Sequence, residues 1–338
     1  MTIINFHKKR TWIMLAGLAA LTGLFSALRE GKLDDPTVDY TIHGFSRRSL
    51  KTPVGKLNYY EAGTGQPLIF LHGIGAGASS WTWSKVAPAF TGQYRVIVPD
   101  WVGWGLSEHP RRYLLFPDYV AQLNALLQHI DQPTHIVAQS LAAGFAAACA
   151  HATPERVASL ILMTPTGGKD DVKFVPGHIL SLLARTEPLN LLFYRTLFHR
   201  RFILRSWLES EGFYDSKAVS RQIVAGFLYS SRRPNAAYSV LPFLSDALRY
   251  DITPYIRNLP VPAIILWGSQ ERTTGRQTGQ RLAALNPNIP LTIIKRARTN
   301  FELELPAQTT AHIQTFLHTT PQSLHPLTSS QPLHHTKK

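Results

Sequence analysis

The chain has 338 residues, of which 44% are hydrophobic, 10% aromatic and 17% charged; that suits one large domain or two ordinary ones and excludes a disordered chain. Its single cysteine, Cys149, excludes an intrachain disulfide framework and argues against a cysteine-built metal site. A formal charge of +14 at pH 7 admits nucleic acid, anionic lipid or an acidic protein as a partner and selects none of them.

At the N-terminus Lys8, Lys9 and Arg10 precede an uncharged apolar run over 11–28, and Arg29, Glu30, Lys32, Asp34 and Asp35 follow it. Such a run, as a helix, spans roughly 27 Å, just enough for the hydrocarbon core of a bilayer. This predicts an uncleaved single-pass anchor within a 1–35 anchor and linker. A cleaved signal peptide has a poor cutting site around Phe25-Ser26-Ala27, and a buried helix is a third reading. The basic residues before the span put the N-terminus on the cytoplasmic side and the body on the other.

From 36 to 318 the chain alternates β-branched runs with helical stretches, the pattern of a mostly parallel α/β sheet flanked by helices. A hairpin is expected at 41–46 and 56–61, then buried strands at 67–71, 94–99, 135–138, 157–163, 263–267 and 291–295. Helices are expected at 80–90, 117–130, 141–151, 275–284 and 307–317. No strand pattern occurs between 168 and 258, where helical patches recur around 178–185, 189–198, 216–230 and 236–249. This divides the chain into a first core part (36–167), a helical lid (168–258), a second core part (259–318) and a disordered tail (319–338) rich in Pro, Ser, Thr, Gln and His.

Three segments carry chemistry. After the strand at 67–71 comes His72-Gly73-Ile74-Gly75-Ala76-Gly77-Ala78, which contains the spacing G-x-G-x-x-A. With Asp100 placed to hold a ribose this could be a dinucleotide turn. Alternatively His72-Gly73-Ile74 is a tight loop whose Ile74 N–H points at a developing oxyanion. The second segment, Asp100-Trp101-Val102-Gly103-Trp104-Gly105-Leu106-Ser107, is a glycine loop after a strand. In the third, Ser140 stands where the strand at 135–138 meets the following helix, flanked two residues away by Ala138 and Ala142. A nucleophile elbow G-x-S-x-G needs small residues at those places, and alanine is a tolerable substitute for glycine. Taken alone, Ser140 reads equally as a helix cap.

The order and spacing of these segments resemble the α/β-hydrolase fold, over about 40–317 and most specifically over 70–144. The family's D-x-x-G-x-G-x-S loop is matched by Asp100, Gly103, Gly105 and Ser107. The resemblance implies an eight-stranded sheet with a lid, Ser140 as nucleophile, and an oxyanion hole from the amides of Ile74 and Leu141. It puts the acid at Glu271 in Trp267-Gly268-Ser269-Gln270-Glu271, and the histidine of G-H-x-x-x-x-E-x-P at Thr299, with Asn300 adjoining. The triad is therefore degenerate, since neither side chain accepts a proton near neutral pH as imidazole does. Losing a triad base costs about 10⁶ in turnover, roughly 8 kcal/mol of barrier.

Three accounts of the site follow: a base from elsewhere, such as His109, His178 or His199; slow chemistry with a water- or substrate-supplied base; or a binding protein that has lost catalysis. The lid segment interleaves Arg195, Arg200, Arg201, Arg205, Arg221, Arg232, Arg233 and Arg249 with leucines and aromatics, so it either lies on an anionic membrane or packs on the sheet with solvated arginines. The expected function is a membrane-anchored serine hydrolase of esters or lipids with its histidine replaced, or a non-catalytic binder or scaffold on the same fold. Its ligand is expected to be small and apolar, an acyl chain or isoprenoid, with membrane lipid as a partner. No metal or organic cofactor is implied, and no recognition module for nucleic acid accompanies the charge.

Overall fold

The computed structural model describes residues 39–75, 77–167, 186, 189–245, 247, 248, 250–275 and 277–320. Eight strands form one sheet: β1 (Ser46–Lys51), β2 (Lys56–Ala62), β3 (Gln66–Leu71), β4 (Tyr94–Asp100), β5 (Thr134–Gln139), β6 (Val157–Met163), β7 (Ala263–Gly268) and β8 (Leu291–Ile294). Their spatial order is β1-β2-β4-β3-β5-β6-β7-β8. β2 runs antiparallel to β1 and β4, and the remaining pairs are parallel. The mostly parallel α/β sheet expected from the apolar runs is the one that forms. β5 and β6 are buried along their whole length because helices cover both faces.

The helices are α1 (Phe116–Ile130), α2 (Ala142–Ala152), α3 (Leu189–Phe198), α4 (Arg201–Trp207), α5 (Arg221–Ser231), α6 (Ala237–Leu244), α7 (Thr253–Arg257), α8 (Thr278–Ala283), α9 (Phe301–Glu304) and α10 (Pro306–Thr319). Alternation along β3 sends Ile69 and Leu71 into a core with Leu123, Phe145 and Ile252, and Leu68 and Phe70 into a second core with Trp83, Phe301 and Ile313. Between β6 and β7 the described residues form helices and no strand. Leu204, Leu208, Phe213, Ile223 and Phe227 make a third apolar cluster there, which takes in Trp81 and Leu303 from the body.

The hairpin forms later than expected. Its first strand is Ser46–Lys51, because Arg47 and Arg48 tolerate the solvent at a sheet edge, and Thr52 closes the turn by donating from Oγ1 to the Gly55 carbonyl at 2.7 Å. The helix expected at 80–90 is two 3-10 turns, Ser80–Trp83 and Ala87–Phe90, with Pro88 unable to donate to a longer helix. Helix α4 and the π turn Leu208–Gly212 were not expected.

The anchor placed at 11–28, the helical patch at 178–185 and the tail beyond 320 fall outside the described residues. Among the described residues no helix is long and apolar enough to cross a membrane, which corrects the membrane placement expected from the sequence. The longest, α1, has 15 residues, against the roughly 20 a span requires.

Candidate active site

Ser140 joins β5 to α2 with φ at 54°, a left-handed conformation unusual for serine. The strain is held by neighbours. Its N–H donates to the Met163 carbonyl of β6 at 2.8 Å, and Ala138 and Ala142 are fully buried beside the turn. The side chain does not cap the helix; Oγ lies 3.3 Å from Thr166 Oγ1 instead. Behind the elbow the Tyr250 hydroxyl lies 2.8 Å from the carbonyl oxygens of both Leu141 and Thr166, which share its single proton. Gly144 must be glycine here, since a Cβ would meet the Tyr250 hydroxyl at 2.1 Å.

The loop after β3 runs against this turn. A Cβ at Gly73 would stand 3.2 Å from Ser140 Cβ. His72 is fully buried with both nitrogens committed: Nε2 accepts the Trp101 N–H at 3.2 Å, so Nδ1 carries the proton and donates to the Gly73 carbonyl at 2.8 Å. Burial holds this imidazole down at about 4, and it remains neutral. The N–H groups of Ile74 and Leu141 have no acceptor among the described residues. Asp100 is also spent on structure. Its carboxylate accepts the amides of Ser80 at 2.6 Å and Leu106 at 2.8 Å, and Gly105, at φ 50°, packs on it where no side chain would fit. That leaves it unable to hold a ribose.

Glu271 follows β7 and is buried. Its Oε1 accepts the Thr273 N–H at 2.7 Å, and its Oε2 accepts the Thr299 hydroxyl at 2.6 Å. The two positions named from the family resemblance thus meet through a hydroxyl. Asn300 adjoins with Nδ2 buried and unpartnered. Gln139, next to Ser140, ties the loops together: Oε1 accepts the Gly73 N–H at 3.4 Å, while Nε2 donates to the Thr299 carbonyl at 3.0 Å and to Glu302 Oε2 at 2.9 Å.

Among the described residues no histidine is hydrogen-bonded to Ser140. His109 Nε2 pairs with the Gly105 carbonyl and His199 Nε2 with that of Ser231. His178 lies outside the described residues. Sequence reasoning missed Gln139, Thr166, Tyr250 and Glu302. Only Gln139 and Glu302 carried a signal, by lying inside the segments that hold Ser140 and Thr299. Among the described residues no three His, Cys, Asp or Glu side chains converge as metal ligands.

Residues 66–305 match the pattern of the alpha/beta hydrolase fold family. Two similar proteins are 2-hydroxy-6-oxononadienedioate/2-hydroxy-6-oxononatrienedioate hydrolases. That of Dechloromonas aromatica (strain RCB) is 30% identical over 71% of this chain and 83% of that protein. That of Paraburkholderia xenovorans (strain LB400) is 29% identical over the same shares, 71% and 83%. Among solved structures, a serine hydrolase involved in carbazole degradation superposes with a TM-score of 0.66 at 21% identity, covering 81% of this chain and 99% of that one. A meta-cleavage product hydrolase from Pseudomonas fluorescens IP01 gives 0.64 at 24%, covering 80% and 97%. The family pattern spans well over half of the sequence and takes in strands β3 to β8, the Ser140 turn and the Thr299 segment alike, and so the chain belongs to the alpha/beta hydrolase fold family.

Proposed function

We propose that this chain binds a small carbonyl compound across Ser140 and the amides of Ile74 and Leu141, and that its triad no longer turns the compound over. The observation that carries this is the 2.6 Å hydrogen bond from Thr299 to Glu271. A threonine hydroxyl in this place is far too weak a base to take the Ser140 proton near neutral pH, whereas an imidazole donating to the same acid has a second, basic nitrogen that would. Residues 168–258 act as the lid over this site, between the two body parts 36–167 and 259–318. The ligand class is drawn from the relatives' 2-hydroxy-6-oxo dienedioates and from the acyl and isoprenoid compounds that suit an apolar lid.

A second reading, slow ester or lipid hydrolysis with Ser140 as nucleophile, is favoured by the retained φ of 54°, a strain of about 1–3 kcal/mol that a retired serine has no need to keep. Fluorophosphonate labelling separates the two. The wild type should label no faster than Ser140→Ala, and Thr299→His should label at Ser140 roughly 10²–10⁴-fold faster, the usual contribution of a general base. Wild-type labelling that vanishes in Ser140→Ala, with matching hydrolysis of acyl esters or a 2-hydroxy-6-oxo dienedioate, would establish the second reading instead. A folded Thr299→His chain that stays unlabelled would sink the claim that the elbow and the oxyanion amides are still serviceable.

A further inference from the structure

The edge of the sheet carries an open groove of about 490 Å³ that Ser140, Ile74, Leu141, Glu271 and Thr299 do not line. Arg47 and Arg48 reach it from β1, Lys56 from the start of β2, and Arg233 from the turn after α5. These four cations line it from separate parts of the chain, although Arg48, next to Arg47 on the strand, turns its side chain to the other face, that of Glu61. Glu108 is the one carboxylate lining the groove, and its Oε2 is engaged by the Lys56 backbone N–H at 2.7 Å. Arg48 shares Glu61 with Arg95, at 3.4 and 2.6 Å. Arg47, Lys56 and Arg233 have no ion-pair partner among the described residues. The Arg233 Nε is buried without a hydrogen-bond partner, while the guanidinium lies over the Tyr229 ring, 5.4 Å from its centre.

Gathered like charges repel, and a bound counter-charge relieves them. Guanidinium groups present paired N–H donors that match the oxygens of phosphate. The floor is rigid: Ser107 Oγ donates to the Asp100 carbonyl at 2.6 Å and accepts the Asn58 N–H at 2.7 Å. Arg47 and Leu106 also line an adjoining open hollow of about 500 Å³, walled by Tyr40, Tyr60 and Tyr229. There the Tyr40 and Tyr229 rings stack 3.7 Å apart.

We propose that this groove is a second binding site, independent of Ser140, for a phosphate-type oxyanion, either free or carried by a small organic ester whose ring lies along the tyrosine wall. Calorimetric titration of the full chain with inorganic pyrophosphate and with adenosine monophosphate, at constant ionic strength, tests it. The expected result is saturable binding that weakens as chloride replaces an inert counter-ion and falls roughly tenfold or more in the Arg47→Ser, Arg233→Gln double variant. Glu108→Gln should tighten it, a gain that a damaged fold cannot give, and Ser140→Ala should leave it unchanged. Pyrophosphate bound as tightly as the nucleotide marks a site for the free anion; tighter nucleotide binding marks one for the ester. No saturable binding of either, or equal binding by wild type and a double variant with the same melting temperature, would overturn the proposal and leave the four cations as solvated surface.

Discussion

Glu302 is fully buried in α9, with Oε2 held by Gln139 and Oε1 without a partner. Burial pushes its carboxyl from an ordinary 4.5 up to about 8, against a smaller pull from the Gln139 amide. Between those two values the folded chain keeps a proton that the unfolded chain releases, so this group costs stability as pH rises from 4.5 towards about 8 and no further above it. Glu302→Gln, a neutral isostere, should therefore raise the melting temperature at and above pH 8 and change it little near pH 4.5. Circular-dichroism melts across that range check this, and an equal shift at both ends would point to packing instead of ionisation. Ser140, Glu271 and Thr299 could be named from the chain because each sits in a short motif at a strand end. Thr166 could not, since it lies 26 residues from Ser140 and meets it only because β5 and β6 are paired.

At the scale of elements, the helices between β6 and β7 are fastened to the body through α5. Gly226 faces Trp81 so closely that a Cβ would lie 2.6 Å from its ring, and Trp81 Nε1 donates to the Asp39 carbonyl at 3.0 Å. Gly226→Val should wedge α5 outwards at a cost of about 1–3 kcal/mol. Hydrogen exchange should then rise in α4 and α5 and stay low in β5 and β6. Uniform loss of protection would mean that the inserted helices and the sheet unfold as one. The sequence showed α1, α2 and α10 by their apolar spacing, yet not α4, whose Phe202 is 81% exposed and whose pattern is ragged. The first hairpin strand slipped for a related reason. Arg47 and Arg48 make a poor strand by composition, and only pairing with Tyr60 and Tyr59 puts them in one.

Over the whole molecule, His72, His109, His135 and His199 are each held near 4, in every case chiefly by burial. They are neutral when folded and take up protons from an ordinary 6.5 when unfolded, so their stabilisation is present above 6.5 and is lost as pH falls towards 4. Four imidazoles outweigh the opposing Glu302. The melting temperature should drop steadily from pH 6.5 to 4.5, and a flat profile there would show these histidines to be accessible in the folded chain. Sequence by itself determined the mostly parallel sheet and the hydrolase family to which the glycine loop at Asp100 and the Ser140 turn, in that order, point, because each is written in local runs of side chains or in short motifs. Only the tertiary structure decided that Ser140 is strained, that Thr299 reaches Glu271, that Asp100 is a structural carboxylate, and that four cations line one groove. Those facts depend on contacts between residues distant in the chain, which strand pairing and packing create and no local pattern encodes.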